Sequence, residues 1–308
     1  MADDEDAREP QFDLDFQPAY GRAVPVARDV VRVTANNPSP FTFHGTNSYV
    51  VGRSSVAVID PGPEDEAHLQ ALLAAIRGRD VSHIFVSHTH RDHSPLARRL
   101  QEETGAITVA EGPHRPARPL FSGEVNAFAE SADTAFVPDL AIGDGETIEG
   151  DEWTVRAVAT PGHTANHMAF ALEKTGVLFS ADLVMAWATT IVAPPDGSMA
   201  DFMASIEKLL SRDDQLMLPG HGGSVLQPRP FLRGLRTHRR MRERAVLERI
   251  RAGDRLIPDM VRAIYTRTDP RLHGAAALSV LAHLEDLVER GQVQTEGYPA
   301  LTGVYFPA

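Results

Sequence analysis

Residues 87–93 read Ser-His-Thr-His-Arg-Asp-His, directly after the apolar run Ile84-Phe85-Val86. Three imidazoles and a carboxylate, His88, His90, Asp92 and His93, therefore fall within one hexapeptide. Neutral imidazole nitrogen and carboxylate oxygen are ligands for borderline divalent ions, zinc foremost. On a regular strand His88, His90 and Asp92 would face one side and His93 the other. A tight turn at a strand end would let all four face one cavity. A plain polar loop fits the hexapeptide too, so ligands elsewhere have to decide. Three further motifs offer them: Thr160-Pro161-Gly162-His163-Thr164, Ser180-Ala181-Asp182 and Pro219-Gly220-His221-Gly222. Each places a His or Asp where an apolar, strand-like run gives way to a loop.

Those loops need strands behind them. Residues 30–33, 48–51 and 56–59 are β-branched runs broken by turn residues and read as strands. Asp60-Pro61-Gly62-Pro63 ends the third. Glu64 and Asp65 open a helix at the positive end of its dipole. Leu69, Leu72, Leu73 and Ile76 follow at helical spacing, and Gly78 stops it. A strand over 81–87 feeds the histidine loop, then a helix over 95–103 and a strand over 106–110. Residues 111–145 carry Pro113, Pro116, Pro119 and Pro138 with little periodicity, and read as a surface excursion over the substrate side. A second strand series spans 153–159, 167–172, 177–180 and 215–218, with a helix over 199–212 packing on Met203, Ile206 and Leu210. Two strand-rich halves with helices outside predict an α/β fold layered α on β on β on α. Beyond Gly222-Gly223 an Arg-rich helix spans 230–252, followed by helices over 257–265 and 275–289. The last shows Ala277, Leu281, Leu284 and Val288 on one face, with Gly291 as its stop. A hairpin of 293–295 with 304–306 makes this end winged-helix-like. The organisation expected is a tail and lead-in (1–28), a catalytic domain (29–226) and a C-terminal helical domain (227–308).

At 308 residues there is room for one large and one small domain. The net charge of −12 argues against a polyanionic substrate. The charge is uneven, however: residues 229–255 hold ten Arg against Glu243, Glu248 and Asp254. No apolar run nears the roughly 18–20 residues that cross a bilayer. The N-terminal Met1-Ala2-Asp3-Asp4-Glu5-Asp6 lacks the apolar segment of a secretory signal. The reading is a cytoplasmic protein with a frayed acidic tail and no membrane partner. With no cysteine, disulfides and thiolate ligands are excluded.

The order His-x-His-x-Asp-His, Pro-Gly-His-Thr, Ala-Asp, Pro-Gly-His resembles the metallo-β-lactamase superfamily. Gly45-Thr46-Asn47-Ser48-Tyr49 and Ile59-Asp60-Pro61-Gly62 match its early strands. The Arg-rich helix and winged-helix end resemble its β-lactamase-like-protein-2 group. The resemblance covers nearly everything after the first 28 residues. It implies the four-layer αββα sandwich and two divalent ions. His88, His90 and His163 would hold one, Asp92, His93 and His221 the other, with Asp182 bridging. Zn²⁺ is expected from ligand type, and Mn²⁺ or Fe²⁺ accept the same set. The diiron oxygen-reducing branch has Glu where His90 stands, which argues against redox chemistry. True β-lactamases of the family lack the bridging Asp or use Cys, so β-lactam hydrolysis is expected only as a side activity.

Two such ions about 3.5–4 Å apart would share a hydroxide formed near neutral pH. Asp92 would orient that water and shuttle its proton. Asp60 and Thr164 are expected to fix imidazoles, His167 to reach substrate, and Asn47 and Trp187 to line the pocket. Simpler roles are available to each, in turn capping, local bonding or packing. The remaining histidines, among them His114, His238 and His283, match no ligand motif. The function expected is metal-dependent hydrolysis of a small ester, thioester or lactone. The alternative, which the resemblance of the tail implies, is endonucleolytic cleavage of single-stranded RNA, and the arginines of 229–255 would support it by neutralising phosphates. Those arginines could equally be a solvated helix face or a homodimer surface. The helix over 275–289 holds Glu285, Asp286 and Glu289 and no Lys or Arg, so it makes a poor recognition helix. A non-catalytic binding module is a third reading, against which the intact ligand set argues.

Overall fold

Strands that are apolar on both faces must lie between two cores, and the central strands do. The computed structural model describes residues 9–308; the acidic segment read as a frayed tail lies outside them. A seven-stranded sheet runs in chain order through β1 (Val24–Ala27), β2 (Val30–Thr34), β3 (Asn47–Val51), β4 (Ser55–Ile59), β5 (Asp80–Phe85), β6 (Ile107–Ala110) and β7 (Leu140–Ala141). It is antiparallel as far as β4 and parallel from β4 onward. The second sheet has five strands, β8 (Thr147–Glu149), β9 (Thr154–Ala159), β10 (Met168–Leu172), β11 (Val177–Ala181) and β12 (Leu216–Pro219), in the order β12-β11-β10-β9-β8. Only β11 and β12 are parallel within it.

Strand alternation sorts the side chains. Tyr49, Ala57, Ile59 and Phe85 of the first sheet meet Val155, Met168, Phe170 and Phe179 of the second. The opposite parity of the first sheet, Val56, Val58 and Ile84, packs on Leu69, Leu72, Leu96 and Leu100. These come from α1 (Glu66–Ile76) and α2 (Leu96–Thr104). The outer face of the second sheet, Ala169, Ala171 and Leu178, packs on Phe202, Ile206, Leu232 and Leu235. These come from α3 (Met199–Leu210) and α4 (Pro228–Arg251). The layering is thus αββα.

The far end of α4 leaves the sandwich and joins α5 (Ile257–Ile264), α6 (His273–Glu289), β13 (Val293–Thr295) and β14 (Tyr305–Pro307). Val246, Ile250, Met260, Val280, Leu284 and Tyr305 form a separate core there. Several local features differ from the sequence reading, β7 inside the excursion and the unread β8 among them. Asp65 caps α1 instead of opening it, accepting from His68 N at 2.8 Å. The lead-in also contributes an edge strand, since β1 pairs with β2. It is anchored by Phe16, which is buried under the Arg32 guanidinium. Phe170 lies fully buried between the sheets, 5.1 Å from the Phe85 ring. Phe170→Ala should cost about 3–5 kcal/mol; a urea-unfolding loss below 1 kcal/mol would contradict this inter-sheet core.

Candidate metal centre

Four strand ends deliver the ligand-type residues to one edge of the sandwich. His88, His90, Asp92 and His93 follow β5, His163 follows β9, Asp182 follows β11 and His221 follows β12. The histidine loop is a turn, not a continued strand, with His93 N and Ser94 N both bonded to His90 O. It is stitched to both sheets: Gly62 N donates to His93 O at 2.9 Å, and Met168 N to Ser87 O at 2.8 Å. At the other loops the backbone comes unusually close. A Cβ on Gly220 would lie 2.3 Å from Asp182 Oδ1 and 2.7 Å from His93 Cε1, which accounts for the Pro-Gly before His221. Ala181, just before Asp182, has φ +43°, and Asp60 has φ +49°. Both are strained conformations of the kind that collect at functional sites.

His88 Nε2 and His163 Nε2 each lie 3.0 Å from His90 Nδ1. Asp92 Oδ2 is 3.4 Å from His93 Nε2 and 3.3 Å from His221 Nε2. The Asp182 carboxylate touches both groups, at 3.7 Å from His163 Nε2, 3.2 Å from His221 Nε2 and 3.5 Å from His93 Nε2.

The other ring nitrogens set the tautomers. His163 Nδ1 lies 2.8 Å from Ile191 O and His221 Nδ1 3.2 Å from Gly45 O. A carbonyl only accepts, so each Nδ1 carries a proton and, in the neutral ring, each Nε2 turns a lone pair inward. His93 Nδ1 meets the Asp60 carboxylate at 2.9 Å with the same result. Ser87 Oγ gives its proton to Asp60 Oδ2 at 2.7 Å, so it accepts from His88 Nδ1 at 3.0 Å. Lone pairs thus converge on the centre, and His93 Nε2 and Asp182 Oδ1 are buried there without a hydrogen-bond partner. Such a set fits a cation.

The electrostatics divide the centre. Burial and neighbouring rings keep His88 well below the ordinary histidine range, His90 at about 3, and His163 lowered. In the other group burial is outweighed by Asp92 and Asp182, which hold His93 well above that range and His221 at about 9. Asp92 and Asp182 are held well below the carboxylate range by His93 and His221, against the upward push of burial.

Asp60 is buried at the end of β4 and accepts from Ser87 N, Ser87 Oγ and His93 Nδ1. The other supporting residues sit differently from the sequence reading. Thr164 does not touch an imidazole; its hydroxyl donates to Asn166 Oδ1 at 3.1 Å, inside a buried turn. His167 does not face the cavity. It is buried, with Nδ1 2.9 Å from Thr160 Oγ1 and Nε2 accepting from Asp182 N at 3.3 Å, so it holds the Asp182 backbone. Asn47 is buried as well, donating to Pro219 O and Gly222 O around the His221 turn. Trp187 stacks on Phe43 at 4.8 Å and faces a neighbouring cavity. Thr46, not singled out from the sequence, donates to Asp92 Oδ2 at 3.1 Å.

The centre opens into a cavity of about 450 Å³. His90, Asp92, His163, Asp182 and His221 reach it, opposite Phe41, Phe128, Met185 and Ile191. The proline-rich excursion supplies one wall. Ala132 bridges to His90, and Phe128, Glu130 and Ser131 line the space.

Residues 41–221 match the metallo-beta-lactamase superfamily, and residues 257–298 match the beta-lactamase associated winged helix domain. A beta-lactamase-like protein 2 homolog from Drosophila melanogaster is 30% identical, over 86% of this chain and 89% of that protein. An atrochrysone carboxyl ACP thioesterase from Aspergillus fumigatus is 28% identical, over 76% of this chain and 70% of that protein. The crystal structure of a beta-lactamase domain protein from Burkholderia ambifaria superposes with a TM-score of 0.77 at 24% identity, covering 96% of each chain. A metallo-beta-lactamase family protein from Thermus thermophilus superposes with a TM-score of 0.72 at 25% identity, covering 92% of this chain and all of that one.

Asp60→Asn removes an anionic acceptor from His93 and should weaken metal binding about 10–100-fold. Chelator competition measures this, and an unchanged affinity would remove Asp60 from that role. A divalent ion near His93 and His221 has to displace their protons. Metal uptake at neutral pH should therefore release protons and weaken as the pH falls, which calorimetry in buffers of different ionisation heat detects.

Proposed function

The chain belongs to the metallo-β-lactamase superfamily and is a hydrolase, and from that premise we propose that it cleaves small thioesters or esters at a dinuclear centre, zinc being the ion. The observation that carries the reading is the shared position of Asp182, in contact with both ligand groups at the floor of one cavity. His88, His90 and His163 would hold one ion, Asp92, His93 and His221 the other, with Asp182 common to both. When bound, such a pair supplies a Lewis acid and a nucleophilic water at neutral pH.

The chain's own groups have separate tasks in this reading. Asp92 keeps a quarter of its side chain exposed toward the cavity, while Thr46 fixes one of its oxygens. It is placed to orient the attacking water and accept its proton. Phe41, Phe128, Met185 and Ile191 give an apolar wall suited to an acyl chain and exclude bulk water from the carbonyl. The thioesterase name carried by a relative 28% identical over 76% of this chain supports a thioester over a lactone.

The RNA reading draws less support from α4. Arg236 and Arg240 pair with Glu207, Arg249 pairs with Asp254, and Arg239 is buried, so much of the basic stretch is committed within the chain.

The test is a panel of aryl ester, acyl thioester, lactone, β-lactam and RNA substrates, run with defined metals. His88→Ala should abolish thioester turnover, and Asp92→Asn should lower kcat by about 10²–10⁴-fold. Full activity in protein holding less than one equivalent of metal would refute the dinuclear reading. Turnover of RNA alone would refute the substrate class.

A further inference from the structure

A second cavity, of about 270 Å³, adjoins the first and shares Phe41, Met185 and Ile191 with it. It lies between the sandwich and the C-terminal helices, with Arg239 and Arg242 of α4, Tyr265 after α5 and Ser279 of α6 in its wall. Among the described residues its lining includes these two arginines and His238 and no Asp or Glu. The metal-side cavity, by contrast, is lined by Asp92, Glu130, Asp182 and Asp196 beside Arg91.

Arg239 stands where the buried stripe of α4 calls for an apolar residue. Leu232, Leu235, Val246 and Ile250 face inward, and Arg239 lies seven positions from both Leu232 and Val246. It is 3% exposed. Its guanidinium donates to Thr190 O and sits 4.8 Å above the Phe202 ring, and its Nε is buried with no acceptor. Arg242 donates weakly to Ile264 O at 3.4 Å, sits 4.8 Å above Tyr265, and also leaves Nε buried and unpartnered. Among the described residues neither arginine pairs with a carboxylate; the nearby Glu9 is taken by His238 at 2.9 Å. Burial pulls Arg239 down to about 10, Arg242 adding to the effect against Tyr265. Behind them His283 is buried with neither ring nitrogen bonded, and burial beside these arginines holds it at about 3, hence neutral.

Removing a cation from water without a counter-ion is costly, so two neighbouring arginines in this state are poor packing and a good anion receptor. Guanidinium groups match carboxylate and phosphate oxygens. The backbone joins this receptor to the metal centre. Thr190 O accepts from Arg239, and Ile191 O, one residue or about 3.8 Å along the chain, accepts from His163.

We propose that the second cavity is an oxyanion subsite, taking the terminal carboxylate or phosphate of an acyl thioester or ester whose scissile carbonyl lies at the metal centre. The inference rests on the hydrolytic reading above and narrows its substrate class to anionic acyl compounds.

The test compares kcat/KM for thioesters that differ only in a terminal carboxylate, a terminal phosphate or a neutral amide. The wild-type protein should favour an anionic member at least about tenfold, and the member favoured identifies the oxyanion. Arg242→Gln should bring that ratio close to one, chiefly through KM, and Arg242→Lys should restore part of it. Arg251→Gln, an exposed site on the same helix, should keep the wild-type ratio. No preference in the wild type, or a preference that survives Arg242→Gln, overturns the subsite. So does a loss of RNA cleavage in Arg242→Gln without any thioester preference, which would make the cavity a phosphodiester seat. If no thioester or ester is turned over at all, the hydrolytic reading fails and the subsite is judged by binding alone. Succinate or inorganic phosphate should then raise the Tm of the metal-loaded wild type and not that of Arg242→Gln; equal shifts, or none, overturn it.

Discussion

The candidate metal centre depends on one buried carboxylate beneath it. Asp60 ends β4 and accepts from the backbone and hydroxyl of Ser87 and from the ring of His93. Those three bonds fix both ends of the histidine loop at once. Through Ser87 they also set the proton on His88 Nδ1, so one residue governs the tautomers of two rings, His88 and His93. A buried carboxylate is tolerable only when its lone pairs are filled, and here donors from the loop fill them. Its left-handed backbone, unusual for a non-glycine residue, is held by the bond from Asp60 N to Phe85 O at the end of the β4–β5 pairing.

The sandwich explains why so few residues suffice. β5 and β11 both run with parallel neighbours, so their loops leave at carboxyl ends, where α/β sheets generally present ligands. The inter-sheet core of Tyr49, Phe85, Met168, Phe170 and Phe179 sets the spacing between those ends. Tyr49 extends from that core to donate to Pro219 O at 2.6 Å, one residue from Gly220. Apolar packing and ligand placement thus share residues, and a shift in sheet spacing would move His221 relative to Asp92.

Much of this was legible because it is local. His88 to His93, and the Pro-Gly before His163 and His221, are short segments in which residue type and turn chemistry coincide. The parity of the strands and the helical spacing of Leu69, Leu72 and Ile76 carried the layer order. The supporting residues were not legible, because their roles depend on what lies across the fold. Asn47 and His167 are polar residues beside ligand motifs, which suggests a place in the cavity. Each is instead turned inward to hold backbone, Asn47 at Pro219 O and Gly222 O, His167 at Asp182 N. Ile191 O and Gly45 O fix two imidazoles through carbonyls, and a carbonyl has no side-chain signature. Arg239 did leave a signal, an arginine on an otherwise apolar stripe, hidden by the many arginines around it.

That last residue changes how the C-terminal helices are understood. As a nucleic-acid reader the module is poorly equipped, since α6 carries Glu285, Asp286 and Glu289 with no Lys or Arg, and Glu285 is tied to Arg118 of the excursion. As a wall it is well connected. The segment from Asp182 to Ile191 carries one ligand-type residue at its start. Thr190 bonds back to Asp182 O and Leu183 O, and the neighbouring Ile191 carbonyl holds His163. Arg239 closes the same segment from the far side. An anion drawn to Arg239 and Arg242 would therefore load the segment that positions both Asp182 and His163. Binding energy gained remotely from the scissile bond can in this way be spent on ordering the groups that act on it.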